Sequence, residues 1–237
     1  MEIPDKTRYE SVLERLERAC AQSGRKRTDV CLVAVSKFHP VEKIAAIAAL
    51  GQKDFGENYQ QEAQEKMARL PELRWHFTGR IQSRKAAKIA GNFVLLHTLD
   101  SIKLADALEK SLAQKNLRQK ALLEANLGAE PQKAGVLSEN LPSLMEHVLE
   151  KCPHLEIEGL MCLPPVFDAG EASRPYFARL RELRDNLEGG FGRKLPELSM
   201  GMSGDFEWAV MEGATIVRVG TDIFGERPAR SKGSSQV

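Results

Sequence analysis

The chain has 237 residues, of which 42% are hydrophobic and 28% are charged. This length and composition can bury a large core in one large α/β domain or two small ones, and we expect one. The 34 basic and 33 acidic residues leave a formal charge of +1, so no global field recruits nucleic acid or an anionic membrane.

The N-terminal residues 1–10 carry mixed charge with no apolar segment behind them, and no stretch approaches the length that spans a bilayer. We therefore expect a cytoplasmic protein without a membrane partner. An amphipathic pattern near residues 6–22 predicts an opening helix.

From there to the C-terminus, short apolar runs alternate with helix-like or turn-like segments, which is the pattern of β/α units. The predicted strands are 30–36, 53–55, 74–78, 93–98, 120–126, 155–161, 197–200 and 215–219. About eight such units most simply close into a (β/α)8 TIM barrel, because closure removes the exposed edges of the sheet.

An open doubly wound sheet is the alternative, but it normally carries a glycine-rich turn after its first strand, and residues 36–40 contain no glycine. We predict one barrel domain over residues 1–229, with the opening helix as an addition. The composition of residues 230–237 predicts a disordered tail.

Lys37 closes the apolar, β-branched run of the first predicted strand. A lysine buried at the mouth of a sheet would be desolvated, which lowers its pKa and makes the neutral amine available for a Schiff base with a carbonyl cofactor. The alternative is an ordinary solvated loop lysine.

Polar residues also end the second and third predicted strands. Asn58 follows the second strand and either forms a capping box with Gln61 or touches a cofactor. His76 ends the third strand, where we expect a hydrogen-bonded core histidine rather than a site residue. A basic cluster follows, which we interpret as a solvated helix face: Arg80, Arg84, Lys85 and Lys88.

Small residues after the last two strands predict an anion site. Ser203 and Gly204 follow strand seven, just before a helix predicted at 206–211, and Gly220 and Thr221 follow strand eight. The loops after these strands commonly hold phosphate in barrels of this kind. The alternative is that the two hydroxyl residues are ordinary helix N-caps. Because barrel closure places strand one beside strand eight, Lys37 would lie within a cofactor's length of this site.

Arg218 lies inside the last predicted strand, where a charge facing the surrounding helices would be buried without a partner. We therefore predict that it faces the barrel interior and can meet the ring nitrogen of a bound pyridine. Arginine keeps its proton, so that nitrogen would stay unprotonated and the ring would be a poor electron sink. A solvated edge arginine is the alternative.

The four cysteines and five histidines show none of the close spacings of metal sites, so we expect reduced structural thiols and no metal.

Six segments together resemble the pyridoxal phosphate homeostasis protein family, in the same order and at similar spacing over nearly the whole chain. The segments are 34–37, 55–59, 76–79, 159–161, 198–203 and 217–221. The resemblance implies a single barrel like the N-terminal domain of alanine racemase. It also implies a Schiff base between Lys37 and pyridoxal phosphate, with Arg218 near the pyridine nitrogen. The residues that it places around the phosphate are Ser203, Gly204, Gly220 and Thr221.

The implied role is to bind, hold and deliver the cofactor within vitamin B6 balance, with apo-forms of pyridoxal phosphate enzymes as partners and no established catalysis. We expect a monomer. The chain departs from the family at residues 79–85, which bears on partner contacts, and at Gly204, which often is a larger residue and bears on affinity.

Two enzymes compete with this interpretation. A racemase-like enzyme would need a second acid/base group on the other face of the cofactor, and the three tyrosines offer no evident candidate. A barrel aldolase could use Lys37 on a sugar phosphate, although aldolase lysines usually lie on a later strand.

Overall fold

Eight parallel strands form a closed barrel in chain order, which confirms the predicted (β/α)8 fold. The computed structural model describes residues 4–130, 132–165 and 170–226. The strands are β1 (Cys31–Val35), β2 (Asp54–Glu57), β3 (Arg74–Phe77), β4 (Leu95–Leu99), β5 (Gln119–Ala125), β6 (Leu155–Cys162), β7 (Glu197–Ser199) and β8 (Ile216–Val219). Each overlaps a predicted strand. The predicted tail, 230–237, lies outside the described residues.

Helices surround the barrel, and the first of them precedes β1 as predicted. They are α1 (Pro4–Gln22), α2 (Val41–Ala49), α3 (Gln60–Arg69), α4 (Ala86–Ile89), α5 (Ile102–Lys115), α6 (Leu141–Lys151), α7 (Arg174–Phe191), α8 (Phe206–Met211) and α9 (Thr221–Phe224). In the described part of the chain, short 3-10 turns lie between them at Arg27–Asp29, Ser83–Lys85, Ser138–Asn140 and Gly170–Ser173. No helix in the described part of the chain is long and apolar enough to cross a membrane.

The apolar core has two parts. Most of it fills the layer between strands and helices, while a smaller group fills the barrel interior: Val33, Leu95, Leu122, Met161 and Ile216. Alternate side chains of a strand point to opposite faces, so each strand serves both layers. Of the four cysteines, none forms a disulfide, and burial raises the pKa of Cys162 to about 12, which suits an inert structural thiol.

Helix α1 braces the last two β/α units. It buries Tyr9, Val12 and Leu16, which share one helical face. From the same helix, the Arg15 guanidinium bonds Glu207 on α8 at 2.6 Å and Asp222 on α9 at 2.5 Å. The opening helix therefore fixes the segments that follow β7 and β8.

Barrel closure depends on pairing between the first and last strands. Cys31 pairs with Ile216 and Ala34 with Val219, in parallel register. This register brings the turn after β1 beside Gly220, as the barrel prediction required.

Gly159, in β6, permits the close approach of β6 to β7. A Cβ atom built there would lie 1.8 Å from the carbonyl oxygen of Glu197, which is backbone and cannot move aside. We expect Gly159→Ala to lower the free energy of unfolding by at least about 2 kcal/mol, measured by urea denaturation. The matched control is Gly189→Ala on α7, where a Cβ meets nothing within 4 Å. Because alanine favours helix, the control should be neutral or more stable by up to about 1 kcal/mol. Equal midpoints for the two variants would contradict this account of Gly159.

Candidate functional site

A cavity of about 290 Å³ opens at the carboxyl ends of the strands. Its lining residues are Val35, Lys37, Asn58, Thr78, Leu163, Met202, Ser203, Gly204, Arg218, Gly220 and Thr221. The structure thus brings together all seven residues that the sequence proposed for one site, although they come from β1, β2, β7 and β8 or the turns that follow them.

Lys37 is half-buried on the turn after β1. A cluster of Lys66, Glu57 and Glu62 contacts that turn. The Lys66 ammonium on α3 donates to the carbonyl oxygen of Ser36 at 2.8 Å. It also contacts the carboxylates of Glu57 and Glu62, both at 2.6 Å. The Ser36 hydroxyl donates to the same Glu57 carboxylate at 2.6 Å. The backbone on the N-terminal side of Lys37 is therefore fixed by charge-assisted hydrogen bonds.

The residue after Lys37 is held as firmly. Phe38 has a φ of 69°, in the left-handed region that non-glycine residues seldom occupy. Its amide donates to Glu62 at 2.5 Å, and its ring packs on Tyr59 with centroids 5.1 Å apart. These contacts hold a strained conformation at the site, as is common next to functional groups.

The two turns after β7 and β8 lie beside each other, and we call residues 202–204 and 220–221 the cradle turns. The amide of Asp222 donates to the Ser203 hydroxyl oxygen at 3.3 Å, which joins the two turns. Among the described residues, the amides of Ser203, Gly204 and Thr221 donate to no acceptor. The cradle turns therefore offer free donors to an anion.

The N-cap interpretation of Ser203 and Thr221 is wrong. The N-cap positions of α8 and α9 are Asp205 and Gly220. The two helices have only six and four residues, so individual N–H groups rather than a long helix dipole would attract an anion here.

The capping-box interpretation of Asn58 is also wrong, because the N-cap of α3 is Tyr59 and it makes no side-chain cap bond. Instead, the Asn58 carbonyl oxygen accepts from the Thr78 hydroxyl at 2.8 Å. A Cβ atom at Gly79 would lie 2.2 Å from the Asn58 backbone oxygen, so this glycine is required for close packing. Asn58 is thereby fixed at the cavity wall.

Arg218 faces the barrel interior, as predicted, and is only 5% exposed. Its guanidinium donates to the Ser199 hydroxyl oxygen at 2.6 Å and to the Cys162 carbonyl oxygen at 3.0 Å. Burial lowers the pKa of Arg218. No carboxylate among the described residues forms an ion pair with it, so the solvated-edge alternative is wrong and a buried cation lines the cavity.

His76 is buried in the core, as expected, and its partners were not predicted. Its Nδ1 lies 3.0 Å from His97 Nε2, and its Nε2 lies 3.0 Å from Asp54 Oδ1. A polar residue at an inward position of an apolar strand, such as His97 in β4, is the sequence signal that could have identified this group. The predicted basic cluster at residues 80–88 is exposed, which confirms its interpretation as a solvated face.

A second cavity of about 210 Å³ adjoins the first and shares Asn58, Thr78 and Leu163 with it. Glu124, at the end of β5, lines this cavity. It is 4% exposed, and its Oε2 has no hydrogen-bond partner among the described residues. Burial, and then the nearby Asp100 carboxylate, raise the pKa of Glu124 to about 7. An acidic residue within the apolar run of β5 was the signal that the sequence reading missed.

The expectation of no metal relied on spacing along the chain, and it stays a prediction. Within the described residues, two trios have possible ligand atoms within 4.8 Å of one another: Cys31, Asp54 and His76, and Asp106, His147 and Cys152. In each trio the histidine already bonds the aspartate, at 3.0 Å and 2.7 Å.

This chain is similar to known proteins over most of its length. Residues 12–228 match the family model "Alanine racemase, N-terminal domain". The pyridoxal phosphate homeostasis protein of Aquifex aeolicus is 46% identical over 222 residues, covering 93% of this chain and 97% of that protein. The structure of PipY from Synechococcus elongatus with PLP bound is 36% identical, with a TM-score of 0.78 over 89% of this chain and 100% of that one.

A more distant likeness concerns the fold alone. The alanine racemase of Corynebacterium glutamicum is 19% identical, with a TM-score of 0.66 over 94% of this chain and 63% of that one.

The raised pKa of Glu124 predicts a pH-dependent stability. The unfolded carboxyl loses its proton near its ordinary pKa of 4.5, while the folded one keeps it to about 7. The folded state therefore binds more protons between these values, and its stability falls as pH rises through them, by about 3 kcal/mol in total.

Glu124→Gln keeps the shape and removes the titration. The free energy of unfolding of the variant minus that of the unchanged chain should be about 3 kcal/mol larger at pH 8 than at pH 4.5, because only the unchanged chain loses stability as pH rises. Urea denaturation measures both values. Glu139→Gln, at an exposed carboxylate, should show no such difference. A pH-independent difference for Glu124→Gln would contradict a buried, titrating carboxyl.

Proposed function

Because the chain belongs to the pyridoxal phosphate homeostasis protein family, which shares the alanine racemase N-terminal domain, we propose that it binds pyridoxal phosphate in the first cavity, covalently on Lys37. Its role is to hold the cofactor and take part in intracellular pyridoxal phosphate homeostasis. The observation that carries the proposal is that one cavity unites a primary amine, free anion donors and an inward arginine.

The donor set of the cradle turns suits a phosphate dianion. Ser203 accepts from Asp222 and so keeps its own O–H for donation, and Thr221 contributes a second hydroxyl. Added to the free amides of the same turns, these donors match the several acceptor oxygens of a phosphate. A Cβ atom at Gly204 would meet nothing within 4 Å, so this turn is open on the side of residue 204.

When bound, pyridoxal phosphate supplies an aldehyde that condenses with a primary amine. In that reaction the Lys37 ammonium would give up a proton, its nitrogen would form the C=N bond, and the aldehyde oxygen would leave as water. Lys37 is half-buried and lines the cavity in which the cofactor is proposed to bind. The buried cluster around Lys66 keeps the turn in place, so Lys37 is presented to the cavity without a large entropy cost.

Arg218 favours storage over catalysis. Arginine keeps its proton, so a pyridine nitrogen facing Arg218 stays unprotonated and the ring withdraws few electrons. The cavity rim is also open, with Leu163 and Met202 38% and 39% exposed, and no tyrosine among the described residues lines it. An open cavity leaves the cofactor accessible to acceptor proteins, for which we propose the apo-forms of pyridoxal phosphate enzymes. We also propose that the protein is a monomeric, cytoplasmic, single-domain barrel.

The alternative is a racemase-like enzyme, and one observation favours it. Glu124 is a buried carboxyl with a pKa of about 7 in a cavity that adjoins the cofactor cavity, which are properties of a general acid or base. Racemisation of an amino acid by the loaded protein, well above the rate of free cofactor and lost in Glu124→Gln, would establish this alternative.

The covalent bond is tested with Lys37→Ala. We expect borohydride reduction of the loaded protein, followed by peptide mass spectrometry, to place one cofactor-sized adduct on the Lys37 peptide. Lys37→Ala should lose the adduct and the visible absorption band while keeping weaker binding through the cradle turns. Lys103→Ala, which removes an exposed lysine on α5, should label like the unchanged chain. Labelling of Lys37→Ala at the same level would refute the assignment.

The cradle is tested with Thr221→Val in the Lys37→Ala background, where binding is non-covalent. Because a hydrogen bond to a charged phosphate is lost, the dissociation constant should rise about tenfold, which is about 1.4 kcal/mol. Calorimetry measures it. Thr221→Ser keeps the hydroxyl and should bind within about twofold of threonine. If valine binds as tightly as threonine, the Thr221 hydroxyl does not hold the phosphate.

A further inference from the structure

A continuous chain of hydrogen bonds crosses the barrel interior behind Arg218. The Arg218 guanidinium contacts Ser199 Oγ at 2.6 Å, which lies 2.8 Å from His97 Nδ1. His97 Nε2 lies 3.0 Å from His76 Nδ1, and His76 Nε2 lies 3.0 Å from Asp54 Oδ1. Ser199, His97, His76 and Arg218 are each at most 5% exposed. We call these five residues the interior chain.

The interior chain joins the two ends of the barrel. Arg218 lines the cavity at the carboxyl ends of the strands. Asp54 is the first residue of β2, at the amino ends, and its side chain is 15% exposed. Beside it lies a cavity of about 140 Å³ that His76 lines together with Cys31, Arg74 and Glu158. A cation at one end is thus connected to a carboxylate at the other through Ser199, His97 and His76, and the same Asp54 oxygen also contacts Arg74 at 3.1 Å.

The direction of the bonds in the interior chain follows from Asp54 at one end and from Ser199 and Arg218 at the other. An ionised Asp54 only accepts, so His76 Nε2 must carry a proton and donate it. The other nitrogen of His76, Nδ1, accepts from a His97 ring that carries its proton on Nε2. Burial, together with the neighbouring His76 and Arg218, lowers the pKa of His97 well below its usual value, so its ring is neutral and Nδ1 accepts.

The bond between Ser199 and Arg218 takes its direction from His97. Because His97 Nδ1 accepts, the Ser199 hydroxyl must donate to it, and only the lone pairs of Ser199 remain for the guanidinium. If the bonds ran the other way, His97 Nδ1 would donate to the Ser199 oxygen. The Ser199 hydroxyl hydrogen would then lose His97 as its acceptor while lying next to the Arg218 cation. Each bond also polarises the next, which strengthens the last one.

We propose that Asp54, His76, His97 and Ser199 are positioning residues that hold Arg218 toward the ring of the bound cofactor from the opposite end of the barrel. The role toward the cofactor rests on the function proposed above. The direction of the interior chain does not, because it belongs to the protein without cofactor.

The direction is tested on the cofactor-free protein by nitrogen-15 NMR of the imidazole rings. We expect His76 and His97 each to be a single neutral tautomer with the proton on Nε2. A proton on Nδ1 of either ring, or a mixture of tautomers, overturns the proposal whether or not the protein binds pyridoxal phosphate.

The coupling to Arg218 is tested with Asp54→Leu, which keeps bulk but can neither donate nor accept. The matched control is Glu158→Gln, at a carboxylate that lines the same small cavity but pairs with Lys120 at 2.8 Å, outside the interior chain. The probe is a pyridoxal phosphate analogue with a methyl group in place of the aldehyde, so that Lys37 takes no covalent part.

We expect Asp54→Leu to lose the single tautomers and to weaken binding of the analogue about tenfold, while Glu158→Gln changes neither. Should Asp54→Leu fail to fold, Ser199→Ala interrupts the interior chain next to Arg218 and should give the same loss. Analogue binding unchanged in the folded variant overturns the positioning role, whereas failure of the unchanged chain to bind any analogue would refute the proposed function instead.

Discussion

The site depends on the pairing of the first strand with the last. Lys37 and the cradle turns lie near opposite ends of the chain, and only the parallel register of β1 with β8 brings them to one cavity. This arrangement follows from barrel closure, because an open sheet would leave β1 and β8 as separate edges. Helix α1 reinforces the closure, since Arg15 joins α8 and α9 behind the cradle turns. The site therefore forms only when the barrel closes.

Two buried polar networks then orient the groups that the barrel brings together. One surrounds Lys66 and holds the turn that carries Lys37, and the other is the interior chain behind Arg218. Buried charges are costly unless they are paired and hydrogen-bonded. Lys66 meets that condition through two carboxylates, whereas Arg218 has only neutral partners at close range. Burying Arg218 without a carboxylate partner costs stability, which is consistent with a side chain that serves to bind a ligand.

The sequence predicted much of this because strand patterns are local. Apolar runs located all eight strands. Because a buried charge needs a hydrogen-bond partner, the sequence also correctly predicted that Arg218 faces the barrel interior. The N-cap interpretations of Asn58, Ser203 and Thr221 failed because a cap depends on the dihedral angles of one residue, and the helices begin at neighbouring positions. The networks were missed for another reason. Ser199 and His97 are 102 residues apart in the sequence, and the hydrophobic periodicity of their strands does not predict a contact between them.

The group that faces a pyridine nitrogen tunes how strongly the ring of a bound pyridoxal phosphate withdraws electrons. A carboxylate there would share a proton with the nitrogen and make the ring an electron sink, whereas a guanidinium leaves the nitrogen neutral. In this protein the carboxylate exists, but it lies at the far end of the interior chain. Asp54 accepts the last hydrogen bond of the interior chain and also pairs with Arg74 at 3.1 Å, and the side chains of His76, His97 and Ser199 separate it from the cavity. In the function proposed above, this arrangement orients the ring and leaves its nitrogen unprotonated, which suits a carrier of pyridoxal phosphate.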